Sequence, residues 1–191
     1  MTINMSPASS ISISLEVDPP RFPPHRNKRT QSPSISVRAV SHATAPITIF
    51  TWPTIFNLAL AQRRDNFECF DITADAPVRV NLTKGPKRRG FSRERGGHDD
   101  RFFCTLLPET PVVFVDSFKV ANRVLPDHDE TSVLQSGHRY TYAVREGEAM
   151  TWWGWGTKDE VMAPSDQPEA LGEPSGGPID LQPIAVEFEV E

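Results

Sequence analysis

The chain lacks any run approaching the roughly 20 apolar residues needed to cross a bilayer as a helix, which excludes a helical membrane span. Cysteine is nearly absent, with Cys69 and Cys104 alone in 191 residues. That is too few for the disulfide framework of a small secreted domain. The first residues, Met-Thr-Ile-Asn-Met-Ser-Pro-Ala-Ser-Ser, hold no basic stretch and no continuous apolar stretch. They do not read as a secretory signal. The expected setting is therefore the cytoplasm or the nucleus, with reduced thiols and an unused sequon at Asn81-Leu82-Thr83.

Motifs that carry chemistry are also missing. There is no Cys-x-x-Cys, no Gly-x-Ser-x-Gly elbow, no P-loop, no His-Glu-x-x-His and no Gly-x-Gly-x-x-Gly after a strand. These absences leave no recognisable nucleophile, metal or cofactor site. Long helical periodicity is scarce too. Asn57 could cap two turns over residues 57–64, and Thr157 with Glu160 forms a capping-box pattern.

Period-two alternation is the strongest positive signal. Ile11, Ile13, Leu15 and Val17 alternate with Ser12, Ser14 and Glu16. Ile35 and Val37 alternate with Ser36 and Arg38. Val78, Val80 and Leu82, Tyr140, Tyr142 and Val144, and Ile184, Val186, Phe188 and Val190 repeat the pattern. Runs at 47–52, 102–107 and 112–115 are apolar on both faces and read as central strands, with a further strand at 67–73. Apolar residues make up only 38% of the chain, and its 18 prolines and 11 glycines punctuate these runs. Such spacing predicts an all-β fold, an immunoglobulin-like antiparallel sandwich of roughly seven to nine strands with one or two short helices.

The expected organisation is a sandwich over 34–162. Before it, 1–33 supplies an N-terminal strand and a Pro- and basic-rich linker. After it, 163–191 is an acidic Pro/Gly-rich tail. Residues 19–33 and 163–183 look disordered, because neither buries enough apolar surface to offset chain entropy. Residues 184–190 read as a strand that returns to the sheet, beside 11–17.

Charge is uneven. The net charge of −5 argues against a nucleic-acid-binding domain. Yet residues 84–101 carry seven basic and three acidic side chains, whereas 158–191 carry nine acidic ones and one lysine. Lys87, Arg88, Arg89, Arg93 and Arg95 are candidate contacts for an anionic partner. Pro86-Lys-Arg-Arg also reads as a nuclear address. The bland alternative is a solvated, glycine-rich loop, or one covered by the acidic tail.

Trp152, Trp153 and Trp155 form the second candidate, an aromatic patch for stacking or anchoring. Trp152 and Trp153 are neighbours and cannot both point inward on one strand, so at least one is exposed or covered by the tail. His98, Asp99 and Asp100, with Asp127, His128 and Asp129, hold metal-type ligands without a recognised spacing, and His138 reads as structural. Cys69 and Cys104 read as buried small hydrophobes.

The order of segments between residues 35 and 144 is familiar. Ser-Ile-Ser-Val-Arg-Ala-Val leads to Pro-Ile-Thr-Ile-Phe-Thr-Trp, then Phe-Glu-Cys-Phe-Asp and Pro-Val-Arg-Val-Asn-Leu-Thr. Phe-Cys-Thr-Leu-Leu-Pro-Glu-Thr-Pro-Val-Val-Phe and Gly-His-Arg-Tyr-Thr-Tyr-Ala-Val follow. This order resembles the N-terminal β-sandwich, or pro-domain, of fungal deuterolysin-type metalloproteases, and is similar to small proteins of filamentous fungi. The zinc motif and a catalytic domain are missing, so the resemblance implies a fold and not a protease.

The function expected from all this is a non-catalytic binding module, using the basic loop and the tryptophans. Its partner would be a protein or a small anionic or aromatic ligand, with no cofactor. Two alternatives stand beside it. One is an enzyme or accessory factor of a biosynthetic pathway with a small-ligand site at one end of the sandwich. The other is a protease-inhibitor-like domain.

Overall fold

The strictest alternation folds as strand. The computed structural model describes residues 10–23, 33–64, 66–78, 90–120, 134–162 and 173–191. Its strands are β1 (Ile11–Asp18), β2 (Arg21–Phe22), β3 (Ser34–Ser41), β4 (Ile47–Phe50), β5 (Phe67–Asp71), β6 (Ala76–Pro77) and β7 (Phe103–Leu106). They continue as β8 (Val112–Ser117), β9 (Arg139–Val144), β10 (Ala149–Met150), β11 (Trp153–Trp155), β12 (Ile179–Asp180) and β13 (Ala185–Val190). Two single-turn helices, α1 (Leu58–Ala61) and α2 (Lys158–Val161), complete the described elements, with a 3-10 turn at Asp100–Phe102.

Two antiparallel layers close on each other. One has the order β1-β3-β8. The other runs β2-β13-β9-β5-β6, antiparallel except for the parallel β2-β13 pair. On β1, Ile11, Leu15 and Val17 are buried while Ser12, Ser14 and Glu16 face solvent. Ile35, Val37 and Ala39 of β3 share one core with Tyr140, Tyr142 and Val144 of β9 and with Phe188 and Val190 of β13. Phe118, just past β8, bridges the layers. Its ring lies 5.1 Å from both Tyr142 and Phe188 and 6.0 Å from Phe22. Each fully buried aliphatic side chain here stabilises the fold by about 1.5–3 kcal/mol. A third sheet, β11-β4-β7, joins β3 through a parallel bridge between Ser41 and Pro108. The fold is thus an all-β sandwich, as the alternation implies.

The layers extend past residues 34–162 on both sides, since β1 pairs with β3 and β13 pairs with β9. The returning strand does not lie beside β1. It sits between β9 and β2, facing β1 across the core, because Phe188 and Val190 need a cover that β1 supplies from the opposite layer. Two stretches expected to be disordered contain ordered pieces. Phe22 is buried in β2, and Ile179 and Leu181 are buried around β12. A few apolar anchors suffice there despite the surrounding prolines. The rest of both stretches lies outside the described residues, as do 79–82 of an expected strand.

Central placement holds for β4, buried at all four positions. It fails for β8, an outer strand with Val113 and Val115 at 55% and 64% exposure. Valine favours extended backbone whether or not its side chain is covered. In α1, Asn57 occupies the N-cap position, but its amide donates to the Trp52 carbonyl at 3.4 Å and caps nothing. The capping box at Thr157 and Glu160 forms, with the Thr157 amide 2.7 Å from Glu160 Oε2.

Candidate functional site

Antiparallel pairing of β4 with β7 sets Phe50 opposite Phe103, with ring centroids 5.0 Å apart. Both are buried, together with Met162. Half-buried Trp52, Phe91, Phe102 and Trp152 surround them and form a second, smaller apolar cluster. Phe91 lies 4.8 Å from Phe50 and 5.3 Å from Trp152. Trp52 meets Phe102 edge-on at 4.6 Å. These tilted and edge-on contacts are the preferred geometries of aromatic pairs.

Arginines extend the cluster outward. The Arg101 guanidinium carbon lies 4.7 Å from the Phe102 centroid, and that of Arg64 lies 5.8 Å from the Trp52 centroid. Arg64, Trp52, Phe102 and Arg101 therefore make a row in which one cation stands at each end of a pair of rings. Such contacts are worth about 0.5–1 kcal/mol each at exposed sites.

The stretch from Gly90 to Arg101 is folded, not a loose loop. Buried Asp99 accepts from the Ser92 amide at 3.0 Å and faces His98 Nε2 at 3.3 Å. His98 Nε2 also faces the Gly90 carbonyl at 3.2 Å. Two acceptors at one nitrogen place the proton there. A side chain on Gly97 would meet Glu94 at 3.0 Å, a tight contact that Glu94 would have to yield to. Lys158 pairs with Asp100, and this hydrogen bond, with one from the Gly96 amide, holds the Asp100 carboxyl below its ordinary range.

Of the candidate basic residues, Arg93 and Arg95 are spent on the fold. Arg93 donates to the Val161 carbonyl at 3.2 Å and Arg95 to that of Asp159 at 2.7 Å. Both tie the loop to α2, whose exposed carbonyls need donors. Lys87, Arg88 and Arg89 lie outside the described residues.

The tryptophans do not form one exposed patch. Trp153 is buried at 5% exposure. Trp155 is half-buried on the same face, its ring 5.3 Å from that of Trp153, while half-buried Trp152 turns the other way, against Phe91 and Phe103. The tail accounts for the burial. Trp153 donates to the Gly177 carbonyl at 2.9 Å, the Ser175 amide donates to the Trp153 carbonyl, and the Trp155 amide donates to Ser175 Oγ at 3.0 Å. The described part of the acidic tail thus lies against Trp153 and Trp155.

What the sequence reading missed is the partnership of Trp52, Phe91, Phe102, Arg64 and Arg101. The one available signal was Phe91 standing alone among charges, a residue that must bury its ring somewhere.

The two thiols are quiet. Burial, helped by the Asp71 charge, pushes the Cys69 thiol up to about 12. Burial also raises Cys104, against the pull of Lys158. His138 Nδ1 lies 2.7 Å from Asp71 Oδ2, a structural pairing at the start of β9. Among the described residues no cluster of three or more His, Cys, Asp or Glu could hold a metal ion. Asp127, His128 and Asp129 lie outside them. A cleft of about 290 Å³ between α1 and β8, lined by Phe56, Asn57, Phe114 and Asp116, lies away from the aromatic cluster. Among the described residues no helix is long and apolar enough to cross a membrane.

No protein-family model, curated protein or solved structure matches the chain.

Proposed function

We propose that the chain is a binding module whose contact surface is the arginine-aromatic face around Trp52, Phe91, Phe102 and Trp152. The carrying observation is the tilted packing of the Phe91 ring against Trp152, with centroids 5.3 Å apart. It brings the basic segment and the tryptophan segment, distant in sequence, onto one face. Arg64 and Arg101 flank that face, and Arg88 and Arg89 directly precede its Gly90 edge in sequence.

Planar cations beside ring faces suit a partner that carries negative charge and a flat apolar group together. An acidic peptide with an aromatic side chain, or a small aromatic carboxylate, has that chemistry. Aromatic and arginine anchors also dominate the energetics of protein interfaces. The two free thiols fit a reducing setting in the cytoplasm or nucleus.

The test is a tryptophan-fluorescence titration with acidic, tyrosine-containing peptides and with aromatic carboxylates, over a range of salt. Saturable quenching that weakens with salt is expected. Arg101→Ala, and Arg88→Ala with Arg89→Ala, should each weaken it about tenfold. A parent protein that binds none of these probes in a salt-dependent way ends the proposal. Inhibition of a deuterolysin-type protease by the chain would instead favour the inhibitor-like reading.

A further inference from the structure

Ser12, His42 and Glu109 come from three separate segments and meet at one edge of the sandwich. Ser12 faces outward from β1. His42 directly follows β3, and Glu109 lies in the turn after β7. Backbone bonds fix the last two. The His42 amide donates to the Ser10 carbonyl at 2.9 Å, and the Glu109 amide donates to the Ser41 carbonyl at 2.9 Å. Glu109 is held at φ 52°, a left-handed conformation that costs a non-glycine residue about 1–2 kcal/mol.

The side chains line up. His42 Nε2 lies 2.9 Å from Ser12 Oγ. His42 Nδ1 lies 2.9 and 3.1 Å from the two Glu109 carboxylate oxygens. A carboxylate only accepts, so Nδ1 carries the proton. In the neutral ring Nε2 is then the acceptor facing the serine hydroxyl. A hydroxyl, a base in that tautomer and a carboxylate orienting the base are the three roles of acyl-transfer triads, which are recognised by geometry and not by sequence order.

We infer that Ser12, His42 and Glu109 form an acyl-transfer centre for small, unhindered esters. Ser12 Oγ attacks the ester carbonyl carbon while its proton passes to His42 Nε2. The bond to the leaving alcohol breaks, and the alcohol takes the proton from Nε2. Water, deprotonated by Nε2, then attacks the acyl-serine, releasing the carboxylic acid and restoring the hydroxyl. Ser12 and His42 are the catalytic residues, and Glu109 is a positioning residue.

The backbone offers a donor for the developing oxyanion. The His42-Ser10 bond sets the ladder phase, so the amides of Ser10 and Ser12 lie on the β3 side and that of Ile13 points the other way. Among the described strands, β1 pairs only with β3. The Ile13 amide, next to the nucleophile, is thus positioned to bind the oxyanion.

The site is open, with the His42 and Glu109 side chains 41% and 68% exposed. Charge stabilisation is weak in so wet a setting, which restricts the substrate to acetyl-like or activated esters. The centre lies at the far end of β7 from the arginine-aromatic face, and the two are independent.

The experiment treats the full chain with a fluorophosphonate probe, maps modified serines by mass spectrometry, and follows p-nitrophenyl acetate turnover. Ser12 should be the modified serine. Ser12→Ala should abolish turnover, and His42→Gln should slow labelling about a hundredfold. Ser14→Ala, on the same face of β1, should leave Ser12 labelling unchanged. Glu109→Gln should lower kcat with KM unchanged, an outcome that a merely structural tie would not produce. Circular dichroism confirms that each variant folds, and Glu109→Gln keeps the test alive if His42→Gln does not. Labelling of Ser12 no faster than that of Ser14, or turnover unaltered in Ser12→Ala, overturns the inference.

Discussion

His138 and Asp71 are joined across 2.7 Å where β9 begins beside the end of β5. Burial pushes the Asp71 carboxyl up. Hydrogen bonds from His138 and from the Ala74 and Thr73 amides outweigh it and leave the carboxyl below its ordinary range. The stabilisation this gives is present in full above the unfolded carboxyl value, near pH 4. It is lost as pH falls through the lower folded value. Cys69 and Tyr140, which neighbour Asp71, are both raised and stay neutral in that range. Urea midpoints measured from pH 6 to pH 2 should therefore fall in the acid limb. Asp71→Asn should flatten that limb and cost about 1–3 kcal/mol at neutral pH.

The tail seat over Trp153 makes a second prediction. A Cβ on Gly176 would stand 2.8 Å from the Trp153 ring. Gly176→Ala should push the tail off the indole, red-shift tryptophan emission and lower stability by about 1–3 kcal/mol. Trp153→Ala removes the ring itself and should cost about 3–5 kcal/mol. Emission spectra and thermal melts read both.

Thiol chemistry gives a third. With its pKa near 12, Cys69 should resist Ellman's reagent in the folded protein at pH 8 and react only after urea is added. Cys104, half-buried, should react more slowly than a free thiol. Fast labelling of Cys69 under native conditions would contradict its burial.

A fourth concerns β8. Val113 and Val115 project from an outer strand. Val113→Thr and Val115→Thr should change stability by no more than about 0.5 kcal/mol. Val115→Lys should reduce self-association at high concentration, because charge blunts an exposed strand edge. Light scattering decides this.

Sequence pattern and structure agree where one face of a strand must be dry. Ile11, Leu15 and Val17, or Tyr140, Tyr142 and Val144, announce their sheet by spacing alone. Agreement ends where a side chain's surroundings come from elsewhere in the chain. Val113 and Val115 look like core residues because apolar character does not say whether a neighbour arrives. Trp153 looks exposed until the segment at Ser175 and Gly177 folds over it. The arginine-aromatic face depends on β4-β7 register, which puts Phe50 against Phe103 and draws in Phe91. Ser12, His42 and Glu109 are equally silent in sequence, since only the β1-β3 ladder and the Ser41-Pro108 bridge make them neighbours.

The position of β13 has a consequence for how the molecule is born. It is the penultimate strand of its sheet, with β9 on one flank and β2 on the other. A nascent chain emerging from the ribosome has β2 long before β13 exists to receive it. Tyr140 and Phe22 must then wait without their stacking partner Phe188. Closure of the second layer is therefore a late, long-range event, and chaperone contact during synthesis should fall on the β9 edge that β13 will occupy.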